Sequence, residues 1–170
     1  MRDREKGAGS GDAAATRALW RCPTCARTFA AQNQVHTCKP LGTLERHFAG
    51  KPAVLRATFD AFAAAVRTHG DVDILPETSR IAFHTRMSFA QLTVRSAWLD
   101  GHVVLGRRAP HERFRRIDTI SARNHVHHFR LTGPEDVDDD VRGWIAEAWE
   151  VGAQRHLSGA RSKRSRGGAH

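Results

Sequence analysis

The chain has 170 residues, of which 40% are hydrophobic and 26% are charged, and its formal net charge is +9. This length suits one ordinary domain with a small appendage. No apolar run approaches the ~20 residues that a membrane-spanning helix needs, and residues 1–16 lack the apolar core of a secretory signal. We therefore expect a cytoplasmic protein without membrane contact, in which the cysteines stay reduced.

The excess positive charge is concentrated at the two ends of the chain. Residues 17–51 contain six basic side chains and one acidic one, and the segment from Arg155 onward contains five basic side chains and no acid. Residues 80–130 hold ten arginines against three acids, whereas residues 135–150 hold seven acids against one arginine. These two regions can neutralise each other, or the first can offer a basic surface to phosphates. Nucleic acid or an acidic protein is the partner expected for the basic ends.

Residues 1–16, rich in glycine, alanine and charge, are typical of a disordered leader. A metal-binding module is predicted next, over residues 17–42, because all three cysteines of the chain lie there. Cys-x-x-Cys places two thiolates on a tight turn, and a later His-x-Cys completes a tetrahedral Cys₃His site for structural Zn²⁺. The predicted ligands are Cys22, Cys25, His36 and Cys38.

Other interpretations of this segment remain open. His47 is a second candidate for the histidine ligand, and the thiols are compatible with a metal-free redox or acyl-transfer site at Cys22 and Cys25. A redox motif is expected to open a helix after a strand, and no strand pattern precedes Cys22. Since a single residue separates His36 from Cys38, these two side chains cannot share a helix face, which argues against a DNA-reading zinc-finger helix.

Two helices are predicted after the module. Residues 43–48 form a short one with Thr43 as its N-cap, and a second helix begins at Pro52 and ends before Gly70. The apolar residues of the second helix recur at helical spacing and predict one buried stripe. They are Leu55, Phe59, Phe62 and Val66.

From Val72 onward the hydrophobic pattern has the two-residue period of β-strands. Asp100-Gly101 is typical of a hairpin turn and predicts that Trp98 lies opposite Val103. Further strands are predicted over 114–120 and 125–131. Thr132-Gly133-Pro134-Glu135 predicts the start of a last, acidic helix.

The predicted fold is therefore α+β. An antiparallel sheet of about five strands, flanked by N- and C-terminal helices, occupies residues 43–157 and follows the zinc-ribbon-like module. Residues 158–170, rich in glycine, serine and arginine, predict a basic disordered tail.

The sequence His125-Val126-His127-His128 is the second group of potentially functional residues. Three interpretations are open: histidines hydrogen-bonded within a half-buried sheet, a second metal site, or a small-ligand or enzymatic pocket. No Gly-x-Ser-x-Gly motif or nucleophile–base pair is recognisable, so we expect a binding module more than an enzyme. The residues of the candidate pocket are His102, Arg123, Asn124, His125 and His127.

Several motifs together resemble a family of uncharacterised bacterial proteins, domain of unknown function 5655, over residues 19–157. The resemblance implies a small α+β domain, often with a zinc-ribbon-like N-terminus, and related domains are sometimes attached to nucleic-acid-processing proteins. It implies no reaction and no catalytic residues. The motifs are Leu19-Trp20-x-Cys22-x-x-Cys25 with Phe29, Asn33-Gln34-x-His36-x-Cys38, Thr43-Leu44-Glu45-x-His47-Phe48-Ala49-Gly50-Lys51-Pro52, Arg80-Ile81-Ala82-Phe83, Trp98-Leu99-Asp100-Gly101-His102, Arg113-Phe114-Arg115-Arg116-Ile117 and Asn124-His125-x-His127-His128-Phe129-Arg130-Leu131.

Overall fold

A computed structural model describes residues 17–34 and 36–157. The predicted leader (1–16) and basic tail (158–170) lie outside the described residues. Across the described part of the chain, no helix is both long enough and apolar enough for a membrane crossing.

The architecture is α+β, as predicted, with two antiparallel sheets. A two-stranded sheet pairs β1 with β2, and a six-stranded sheet has the order β3-β4-β5-β6-β8-β7. The strands are β1 (Trp20–Arg21), β2 (Thr28–Phe29), β3 (Asp73–Pro76), β4 (Ile81–His84), β5 (Ser88–Val94), β6 (Leu99–Leu105), β7 (Arg116–Ser121) and β8 (Asn124–Leu131).

Three α-helices and two short 3₁₀ helices accompany the sheets. The helices are α1 (Leu44–Phe48), α2 (Ala53–Arg67) and α3 (Asp139–Gly152), and the 3₁₀ helices are Pro134–Asp136 and Arg155–Leu157. The predicted stripe of α2 is fully buried, and it packs with α3 on one face of the six-stranded sheet. That face is called the inner face below, and the opposite one the outer face.

The large sheet has six strands where about five were predicted. The additional strand, β3, pairs with β4 at the edge of the sheet, from Asp73 opposite His84 to Pro76 opposite Ile81. It is four residues long and ends in proline, which is tolerated at a sheet edge but weakens the strand pattern in the sequence.

The prediction of a hairpin turn at Asp100-Gly101 is wrong. Both residues lie inside β6, and the turn is formed by residues 95–98, where the Arg95 amide donates to the Trp98 carbonyl at 2.9 Å. Gly101 serves a different purpose: a Cβ there would lie 2.7 Å from Cε2 of Phe129 and 3.1 Å from Cδ2 of Leu92. Glycine is required by close packing on the inner face, which the dipeptide motif alone does not distinguish from a turn.

The last helix also begins later than predicted. Its N-cap is Asp138, whose Oδ1 accepts a hydrogen bond from the Val141 amide at 3.1 Å. The preceding 3₁₀ turn is closed separately, because Oδ2 of Asp136 accepts from the amides of Thr132 and Gly133 at 2.6 and 3.3 Å. The capping signal in the sequence therefore belongs to this turn.

Candidate metal centre

The two-stranded sheet leads directly into the Cys-x-x-Cys turn. Trp20 pairs with Phe29 across β1 and β2. After β1 the Cys22 amide donates to the Arg27 carbonyl at 2.9 Å, and the Ala26 amide donates to the Cys22 carbonyl at 2.9 Å. Ala26 has φ of 59°, in the left-handed region that sharp reversals use. The small sheet thus holds the first two thiols at the end of a tight turn.

The four predicted ligands converge. Each of Cys22, Cys25, His36 and Cys38 offers one ligand atom, and all four atoms lie within 4.8 Å of one another. Sγ of Cys22 and Sγ of Cys38 are 3.7 Å apart. Nε2 of His36 lies 3.3 Å from Sγ of Cys25 and 3.3 Å from Sγ of Cys38. These side chains can hold a metal ion.

The spacing of the donors suits a tetrahedral ion. With Zn–S bonds of about 2.3 Å and a Zn–N bond of about 2.0 Å, tetrahedral geometry places sulfurs roughly 3.8 Å apart and a sulfur and nitrogen roughly 3.5 Å apart. The three separations given above match these values within a few tenths of an ångström. Nδ1 of His36 donates to the Gln34 carbonyl at 2.6 Å. This bond orients the ring and leaves the Nε2 lone pair facing the sulfurs.

The pKa values of Cys25 and Cys38 are shifted in opposite directions. Burial acts to raise the pKa of Cys25, but hydrogen bonds to its sulfur outweigh burial and lower this pKa to about 6. The largest of these contributions comes from Arg27, whose Nε lies 3.5 Å from Sγ of Cys25. Burial and hydrogen bonds with the neighbouring thiols raise the pKa of Cys38 to about 11. Two close thiolates repel each other, and a divalent cation bound between them offsets this repulsion.

The module packs on the outer face of β3 and β4. The Ala30 amide donates to the Arg86 carbonyl at 3.0 Å, and Nε2 of His84 donates to the Thr28 carbonyl at 3.0 Å. The Phe29 and His84 rings lie 5.8 Å apart, edge to face. The folded module therefore covers the outer face of the sheet at β3 and β4.

The remaining predictions for the module can be compared with its contacts. Phe29 is buried and its ring lies 6.0 Å from Trp20 and 4.2 Å from His36, so these rings form a miniature core. The alternative ligand His47 is directed elsewhere, since its Nε2 donates to the Glu77 carbonyl at 2.8 Å.

His125 and His127 of β8 lie on the inner face in hydrogen-bonded positions. His127 is fully buried, with Nδ1 donating to the His125 carbonyl at 2.9 Å and Nε2 accepting from the Ala109 amide at 3.0 Å. Nδ1 of His125 lies 3.1 Å from Oγ1 of Thr119. Burial lowers the pKa of His127, so the ring is neutral. These contacts favour a structural role for both side chains.

The candidate pocket is not formed as predicted. His102 alternates with the buried residues of β6 and lies on the outer face, across the sheet from His125 and His127. Arg123 and Asn124 lie at the β7–β8 turn. The sheet places His128 beside His102 instead, with ring centroids 5.3 Å apart. This neighbour is not visible in the sequence, because the pairing of β6 with β8 joins distant segments.

The fold and the cluster define a small antiparallel α+β domain carrying a zinc-ribbon-like Cys₃His module. Comparison with family models matches residues 44–152 to "Domain of unknown function (DUF5655)". The chain belongs to this family, and the module precedes the matched region. Comparisons with curated proteins and with solved structures found no significant match.

Proposed function

We propose that the protein is a zinc-stabilised, non-enzymatic binding module whose basic segments contact nucleic acid. The observation that carries the zinc assignment is the convergence of Cys22, Cys25, His36 and Cys38. Three sulfurs and one imidazole nitrogen are a typical structural zinc shell. Four protein ligands leave no open position for a reacting water, and every cysteine of the chain is used by the metal.

A structural role for zinc also follows from how little the module buries. Phe29 is buried and Trp20 only partly so, and two such side chains contribute roughly 1.5–3 kcal/mol each. Ordering the backbone costs ~1–2 kcal/mol per residue. Zinc binding supplies ~10–16 kcal/mol in modules of this type. The metal is thus the main source of folding free energy for this segment.

The zinc assignment is tested by metal analysis of the purified full chain, with a matched pair of histidine variants. We expect about one zinc per chain, and we expect His36→Gln to lose most of it. His47→Gln is the control, since its amide can still donate to the Glu77 carbonyl. Retention of zinc by His36→Gln would refute the proposed ligand set.

Chelation of the full chain tests whether the metal is structural. Removing zinc should broaden or shift the backbone NMR signals of residues 17–42, while the signals of α2, α3 and β5–β8 persist. The core of the large domain, which includes Phe62, Phe83 and Ile145, is independent of the cluster. Unchanged module signals after complete metal removal would contradict a structural role.

Nucleic acid is the proposed partner because positive charge surrounds the module and continues in the tail. Residues 158–170 contain four basic side chains and no acid. Binding through phosphates should weaken with salt by about 0.7–0.9 log units per log of salt for each phosphate neutralised. Deleting residues 158–170 should therefore flatten the salt dependence.

The control deletion removes residues 1–16, which contain three basic and three acidic side chains, and it should leave the slope unchanged. Absence of binding at low salt, or binding that is independent of salt, would refute the nucleic-acid proposal. Binding to an acidic protein under conditions in which oligonucleotides do not bind would also refute the nucleic-acid proposal.

A further inference from the structure

The outer face of the large sheet holds a pocket that belongs neither to the metal cluster nor to the basic ends. Its volume is about 380 Å³ and it lies over β5, β6 and β8. This volume lies within the usual range for small-molecule sites. Four arginines and one aspartate supply the charged groups of its wall: Arg95, Arg115, Arg116, Arg130 and Asp100.

The arginines exceed the acids available to them. Asp100 is shared, since its Oδ2 lies 2.7 Å from Nε of Arg95 and its Oδ1 lies 3.5 Å from Nε of Arg130. Asp118 pairs with Arg116 at 2.9 Å. Arg115 is exposed and has no ion pair among residues 17–34 and 36–157. Two carboxylates therefore face four guanidinium groups, and the surplus attracts an anion.

The floor of the pocket supplies polar groups that the protein leaves unpaired. His102 lies between Gln91 of β5 and His128 of β8 in the strand register. Burial lowers the pKa of His102 to about 3, with a further contribution from His128. The ring is therefore neutral, and it makes no hydrogen bond within the described part of the chain. A neutral imidazole offers one donor and one acceptor to a ligand.

The aromatic content of the pocket argues against a stacked nucleic-acid base. Proteins that bind single strands on a sheet present free aromatic rings to the bases. The Trp98 ring beside this pocket is already covered by the Arg130 guanidinium, 4.0 Å from the ring centroid. Arginine side chains that converge from several strands instead suit the oxygens of one phosphate group.

We infer that the outer-face pocket binds a small molecule through a phosphate monoester group, which Arg115, Arg116 and Arg130 hold over His102. Arg115 and Arg116 contribute the exposed guanidinium groups, and His102 and Gln91 supply the hydrogen-bonding floor. Binding here requires neither residues 1–16 and 158–170 nor a nucleic-acid strand, so it is independent of the nucleic-acid proposal.

The test is an NMR titration of the full-length, zinc-loaded chain with inorganic phosphate at low salt. The largest shifts are expected at the backbone amides around His102 and His128. The double variant Arg115→Ala/Arg116→Ala should weaken phosphate binding at least tenfold. Arg67→Ala/Arg142→Ala removes the same charge from two exposed helix positions and should change the affinity less than twofold.

Two results would overturn the inference. One is equal weakening by both double variants, or shifts scattered over the basic surface, because either indicates unspecific charge attraction. The other is that inorganic phosphate shifts no NMR signal, while a single-stranded oligonucleotide binds tightly and Arg115→Ala/Arg116→Ala abolishes that binding. Deleting residues 158–170 should leave the phosphate affinity unchanged, so failure of the nucleic-acid proposal is distinguishable from failure of this one.

Discussion

Substitution of Gly101 by alanine tests the packing of the large sheet most sharply. The new methyl group would lie 2.7 and 2.9 Å from Cε2 and Cζ of Phe129 and 3.1 Å from Cδ2 of Leu92. Carbon atoms in favourable contact lie ~3.5–4.0 Å apart, so the ring must move within a close-packed core. Overpacking of this kind costs ~1–3 kcal/mol. Urea unfolding of the zinc-saturated chain should show this decrease in the free energy of unfolding.

The control is Gly143→Ala in α3, where an added Cβ meets no atom within 4 Å. It should stabilise the chain by up to ~1 kcal/mol, because alanine is the better helix former. A turn at Asp100-Gly101 would also make Gly101→Ala costly, so a double-mutant cycle with Phe129→Leu is needed. The smaller side chain should relieve ~0.5–3 kcal/mol of the cost. Strict additivity of the two substitutions would refute the packing explanation.

Two further predictions concern the start of α3 and the response to acid. Asp138→Ala should lower the free energy of unfolding by ~1 kcal/mol through loss of the N-cap. The control Asp139→Ala should lower it by less than half as much. Equal losses in urea unfolding would contradict the assigned cap. Burial lowers the pKa of His102 from 6.5 to about 3 on folding, so protons favour the unfolded chain and stability is lost as pH falls below about 6.5. His102 should account for about 2 kcal/mol of the decrease in the free energy of unfolding between pH 8 and pH 5. The variant His102→Asn should make this decrease smaller by the same amount. An unchanged pH profile in the variant would refute the assigned burial.

The metal ligands were predictable from the sequence because their chemistry is local. The spacing of Cys22, Cys25, His36 and Cys38 already limits how four donors can meet, and the structure brings their ligand atoms together. The buried stripe of α2 was predictable for a similar reason, since the 3.6-residue period is a property of one continuous segment.

The outer-face pocket could not be predicted, because it depends on which strands are neighbours. His102 and His128 are 26 positions apart in the sequence and meet only through the pairing of β6 with β8. A one-residue change in register moves every side chain to the other face. The sequence alone therefore could not show that His102 lies on the outer face, across the sheet from His125 and His127.

Zinc K-edge X-ray absorption of the purified full-length protein tests the central claim most directly. We predict one zinc per chain with three sulfur neighbours at about 2.3 Å and one nitrogen neighbour at about 2.0 Å. A first shell dominated by oxygen and nitrogen, or protein that folds fully without bound metal, would contradict the Cys₃His centre.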